Sequence, residues 1–173
     1  MHGKDFLVYI STKIIEDAFG KKVIPYITSL GVDTASRTGW CKISTTKDNI
    51  FLDYGFIDIQ TPDKYYKYNK FIELFSTMVN TDKLVIEESF FGQNAKTFQM
   101  LSRLGGFVYA IAHIHGQTDK RFLLATSARK YLGLKGNAKK DIIQEEFKKK
   151  LSLNLTDDDI VDAIILALNG VLK

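Results

Sequence analysis

Residues 23–60 read VIPYITSLGVDTASRTGWCKISTTKDNIFLDYGFIDIQ, and the fold turns on them. β-Branched and aromatic residues fill three runs, interrupted by the turn-like TASRTG (34–39) and by KDN (47–49). Runs of that composition bounded by turn residues predict three strands in a meander, the last two joined by a hairpin. Beyond Pro62 the pattern changes. Residues 63–80 predict an amphipathic helix, and KLVIE (83–87) is the short apolar run of a buried parallel strand. Residues 94–115 predict a long, largely apolar helix, RFLLATS (121–127) a fifth strand, and residues 136–152 a charged amphipathic helix. A final helix opens at Thr156. This order predicts a layered α/β domain: a five-stranded mixed sheet flanked by helices on both faces.

The first 22 residues stand apart. Phe6, Leu7, Ile10, Ile14 and Phe19 approximate a helical stripe and Gly20 is a stop signal, so residues 1–22 are expected to form a peripheral helix ahead of a domain spanning 23–173. With 173 residues, 45% of them hydrophobic and 25% charged, one domain with a sizeable core is expected. The net charge of +4 permits a polyanionic partner without requiring one. Cys41 is the only cysteine, which excludes an intrachain disulfide framework and suits a reducing, cytoplasmic setting. No apolar run approaches the roughly 20 residues that span a bilayer, and the N-terminus lacks the pattern of a secretory signal, so no membrane partner is expected.

The chemistry-bearing residues are acidic. In LTDDDIVDAIILAL (155–168), Asp157, Asp158 and Asp159 follow a Thr156 N-cap and suit the positive end of a helix dipole. Asp162 does not: it lies beyond the dipole's reach, among Val161, Ala163, Ile164 and Ile165. Asp159 and Asp162, three apart, project from nearly one helix face. A lone buried carboxylate costs several kcal/mol, of the order set by removing a charge from water. A bound cation removes that cost, so the pair suggests one wall of a metal site. Asp33 and Glu87 each end a strand, where ligand sites of α/β sheets gather. Alternation separates Glu87 from Glu88, so one of the two glutamates faces the site. Hard oxygen ligands suit Mg2+ or Mn2+, and two such ions can stabilise the attacking and leaving oxygens of phosphodiester cleavage.

At this point the chain resembles the RuvC-type Holliday junction resolvases, a branch of the ribonuclease H-like superfamily, over residues 27–172. LGVDTASRTGW (30–40) is similar to the family's first motif and VIEESFFGQNAKTFQMLSRLGG (85–106) to its second. ARKYLGLKGNAKKDIIQ (128–144) is similar to its basic segment, and DDIVDAIILAL (158–168) to its closing helix. The resemblance implies that Asp33, Glu87, Asp159 and Asp162 hold two ions while water attacks. It places Arg129 and Lys140 where the family has DNA-contacting or catalytic lysines. It also places Phe90 where an aromatic stacks on unpaired bases at the crossover. Lys135, Lys139 and Lys140 follow a glycine-containing loop and suit phosphate contact, although such runs are commonly just a solvated face.

The long helix is apolar on more than one side, through Phe98, Met100, Leu101, Leu104, Phe107, Val108 and Ile111. That surplus suggests a homodimer, with Gly105 and Gly106 allowing close approach. The implied function is paired symmetric hydrolysis of four-way DNA junctions, with a branch-migration motor as a partner the resemblance admits. Two alternatives stand beside it: another ribonuclease H-like nuclease acting on RNA–DNA hybrids or DNA ends, and an inactive nucleic-acid-binding scaffold. Lysine and asparagine usage suits an AT-rich bacterial or phage genome.

Overall fold

A computed structural model describes residues 6–35, 37–90, 92, 94–155 and 157–173. Its strands are β1 (Phe6–Ser11), β2 (Thr28–Asp33), β3 (Thr38–Thr45), β4 (Asn49–Ile57), β5 (Lys83–Glu87) and β6 (Asp119–Leu123). The helices are α1 (Thr12–Phe19), α2 (Lys64–Ser76), α3 (Ala95–Ile114), α4 (Ala125–Tyr131), α5 (Lys140–Leu151) and α6 (Asp158–Val171). The six strands form one mixed sheet in the order β1-β4-β3-β2-β5-β6. β1 to β4 make antiparallel contacts, and β5 runs parallel to both β2 and β6. No helix among the described residues is long and apolar enough to cross a membrane.

Alternation along the strands divides the core in two. Leu30, Val32, Trp40, Leu84 and Ile86 face α2 and α3. Cys41, Ile43, Leu52 and Val85 face α1, α4, α5 and α6 on the other side. α6 is buried along its whole length from Ile160 to Val171, which explains why its sequence is apolar all round. It lies against β2 and β3, and glycines make that approach possible. A Cβ at Gly31 would overlap the Ala163 carbonyl, and one at Gly39 the Asp159 carbonyl.

The sixth strand is β1, which takes the first part of the segment expected to be one N-terminal helix; the rest is helical and stops at Gly20 as expected. FLVYIS alternates: Val8 and Ile10 pack inward while Leu7 and Tyr9 point to solvent, a period of two. Helix α1 starts only at Thr12, with Ile15 and Phe19 buried one turn apart and Ile14 half-exposed. This segment is no peripheral appendage, since Ile10, Ile15 and Phe19 belong to the core.

Two other boundaries differ from expectation. β2 begins at Thr28 because Pro25 has no N–H to donate and Tyr26 adopts a left-handed φ of 58°. β6 ends at Leu123, opposite the last residue of β5; with no strand left to pair, residues from Ala125 coil into α4.

Candidate active site

Val32 lies opposite Ile86 in the parallel β2–β5 pair, so the next residues, Asp33 and Glu87, end neighbouring strands side by side. Asp33 belongs to the Gly31 face and Glu87 to the Val85 face, which is the side covered by α6. Glu87 is the side chain that acts most strongly on the Asp33 carboxyl. Asp33 is 5% exposed. Burial, first, and then the Glu87 contact and the charges of Asp162 and Asp159 push its carboxyl well above the usual range. The three other expected acids therefore all act on Asp33, which is their centre.

The helix start is built differently from expectation. Asp157 is the N-cap, its side chain accepting from the amides of Asp159 and Ile160; Thr156 lies outside the described residues. Asp157 and Asp159 are held by a residue the sequence did not single out. Arg37 Nη2 pairs with Asp157, its Nε reaches Asp159 Oδ2 at 3.5 Å, and its guanidinium rests 4.3 Å from the centre of the Phe56 ring. A cation four residues past Asp33, inside the same turn, was the available signal. Lys140 stands on the other side of Asp159, with Nζ 3.7 Å from Oδ1 and 4.0 Å from Asp158 Oδ2. Burial nevertheless dominates at Asp159 and holds its carboxyl above the usual range.

Asp162 is not the unpaired carboxylate the sequence suggested. It is 6% exposed and gripped by Arg129, which is itself only 8% exposed. Arg129 is therefore inside the fold and not on a surface open to DNA. Its side chain has the length to cross from α4 and the planar fork to match a carboxylate. Lys135, Lys139 and Lys140 are exposed, and Lys140 opens α5. Phe90 is 81% exposed. Together with Glu87, Glu88, Leu124, Ala125 and Thr126 it borders a cleft beside the acids. Phe91 lies outside the described residues.

Among the described residues, no three acidic, histidine or cysteine side chains stand close enough to make a ready cage for an ion. Asp162 and Asp159 are turned to basic partners. The donor set still fits a hard divalent cation: three carboxylates oppose the ionisation of a buried fourth, Asp33, and positive charge there would relieve that opposition.

Residues 29–169 match a family model described as "Crossover junction endodeoxyribonuclease RuvC". The chain belongs to the RuvC family. Among relatives, RuvC of Campylobacter jejuni strain RM1221 is 32% identical over 149 residues, covering 80% of this chain and 91% of that protein. RuvC of Alkaliphilus oremlandii is 30% identical over 149 residues, covering 80% and 89%. The fold agrees with that of Thermus thermophilus RuvC, with a TM-score of 0.68 at 15% identity over 85% of this chain and 99% of the other. T. thermophilus RuvC in complex with Holliday junction substrate matches with a TM-score of 0.67 at 15% identity, over 85% and 98%. The yeast mitochondrial Holliday junction resolvase Ydc2 matches at 0.54, also at 15% identity, over 90% and 82%. In this RuvC family member the acids lie where the helix after the basic segment meets the ends of two parallel strands.

Proposed function

We propose that this chain is a metal-dependent endonuclease that resolves four-way DNA junctions by phosphodiester hydrolysis. One observation carries the reading: Asp33 and Glu87 end adjacent parallel strands side by side, with Asp33 buried and in the field of Asp159 and Asp162. RuvC enzymes depend on divalent metal. Mg2+ or Mn2+, two per site, would neutralise charge on the attacking and leaving oxygens when bound. Asp33, Glu87, Asp159 and Asp162 would hold them. Lys140, beside Asp159, positions the scissile phosphate and meets the charge that builds on its oxygens. Phe90 offers its exposed ring to a base unstacked at the crossover, a contact worth about 1–3 kcal/mol. Lys135 and Lys139 add phosphate contacts from the same loop. A cytoplasmic setting, in which junction DNA is available, follows from this reading.

The working unit is a homodimer, which places two sites for symmetric cuts. Ser102, Gly106 and Ala110 follow one another along the exposed side of α3, and nothing lies within 4 Å of a Cβ built at Gly106. Gly105 takes no part, because it faces Phe122 and Ile86 inside the fold.

The deciding experiment offers labelled four-way junction, RNA–DNA hybrid and linear duplex side by side with Mg2+ or Mn2+. Paired nicks in the junction alone support the reading. Preferred cutting of hybrid or of ends would place the chain with the other ribonuclease H-like nucleases, and binding without cutting would make it a scaffold.

A further inference from the structure

Arg129 makes more contacts than a charge partner needs. Its Nε and Nη2 lie 3.1 and 2.7 Å from Asp162 Oδ1, and Nη2 lies 2.8 Å from Oδ2. Nη1 points the other way, to the carbonyls of Gly136 and Ala138 at 3.5 and 3.4 Å. Those carbonyls belong to the loop between α4 and α5. The Arg129 carbonyl also accepts from Leu134, and Gly136 lies so close to α4 that a Cβ there would press on the Thr126 carbonyl. The loop carries Lys135 and Lys139 and leads directly into Lys140. One buried guanidinium thus touches both an acid of the active site and the backbone that presents the lysines.

The acceptor side leaves room for a cation. A carboxylate offers about four lone-pair sites, and the three bonds from Arg129 occupy three of them, two on Oδ1 and one on Oδ2. Arg129 can therefore stay in place while Oδ2 serves an ion.

We propose that Arg129 is a positioning residue that fixes Asp162 for the metal and ties it to the lysine-bearing loop, holding the metal site and the phosphate-contacting surface in one register. The inference rests on the reading of Asp162 as a metal ligand.

Charge and position make opposite demands here, so the sign of one measurement separates them. Mn2+ binding to the DNA-free, full-length protein is measured by calorimetry for the parent, Arg129→Gln, Arg129→Lys and Asp162→Asn. Hydrogen exchange of the amides at 133–139 is followed in parallel. Coulomb's law alone makes Arg129→Gln bind Mn2+ more tightly, since a cation has been removed. Positioning predicts the reverse, about a 10- to 100-fold weaker affinity, as for other partners that orient metal ligands. It predicts weaker binding in Arg129→Lys too, because lysine keeps the charge but lacks the fork. Loop exchange should quicken in both. Tighter binding in Arg129→Gln, or parental affinity and loop protection in Arg129→Lys, overturns the inference. The lysine variant decides alone if the glutamine variant does not fold. A parent that takes up no Mn2+, or an Asp162→Asn variant that binds it like the parent, overturns the metal-site reading and this inference with it.

Discussion

Arg129 and Asp162 form a forked ion pair between α4 and α6, with side-chain exposures of 9% and 8%. Breaking a buried pair from one side leaves the other charge uncompensated, which costs about 3–5 kcal/mol. Asp162→Ala should therefore lower metal-free stability by about that amount, read from chemical denaturation. A free carboxylate repelled by its neighbours would give the opposite sign, and the variant would then be more stable than the parent.

Asp157, Asp158 and Asp159 look equivalent in sequence and are not equivalent in space. Asp157 caps α6 and pairs with Arg37, so Asp157→Ala should cost about 1–2 kcal/mol, as lost caps do. Asp158 points to Gln144 and, at the limit of contact, to Lys140 near the surface. Asp158→Ala should stay within about 0.5 kcal/mol of the parent. Thermal melts of the two variants give the ranking, and equal losses would remove the special place of Asp157.

The parts of this fold that sequence shows well are those governed by local periodicity. The β2 to β4 meander, the KLVIE strand, α3 and the apolar run of α6 all carry their own pattern. β1 was missed because FLVYIS followed by TKIIEDAF places apolar residues at spacings that a helix also satisfies. Only its pairing with β4, from Phe6 opposite Tyr54 to Ser11 opposite Asn49, settles the period as two. The acids were legible because a carboxylate in an apolar helix is conspicuous. Their partners were not. Arg37 and Arg129 reach Asp159 and Asp162 across 122 and 33 residues, and no local pattern records such a meeting.

Gly39 allows the start of α6 to lie on β3, with the Asp159 backbone where a side chain would otherwise be. Gly39→Ala should push α6 outward and separate Asp159 from Asp33. Junction cleavage should fall by about 100-fold or more, the scale of a 1 Å misplacement. Gly106→Ala, in open space on α3, is the control for folding and should leave monomer stability near parental. Cleavage by Gly39→Ala at the parental rate would show that the helix adjusts without moving the acid.

Phe90 is mostly in solvent, so Phe90→Ala removes little packing and should shift the melting temperature by no more than about 2 °C. Its loss should instead slow cutting of intact four-way junctions more than cutting of junctions already unpaired at the crossover. Equal slowing of both substrates would take the ring out of base stacking.

Asp33 supplies the pH dependence. Its folded carboxyl titrates well above the unfolded value near 3.8, chiefly through burial and secondly through Glu87. In the window between the two values the native state holds a proton that the unfolded state has lost, so unfolding releases it and stability falls as pH rises. Asp33 thus contributes stability that is present below its unfolded pKa and lost as pH climbs through the folded one. Asp33→Asn removes the titration. With chelator present, the variant should show a flatter stability profile above pH 4 and exceed the parent at neutral pH, while losing cleavage altogether. Denaturation across pH 4–8 for both proteins reads the slopes; parallel profiles would mean that Asp33 is ionised in the metal-free fold, and the account of the site as a buried carboxyl opposed by three others would not stand.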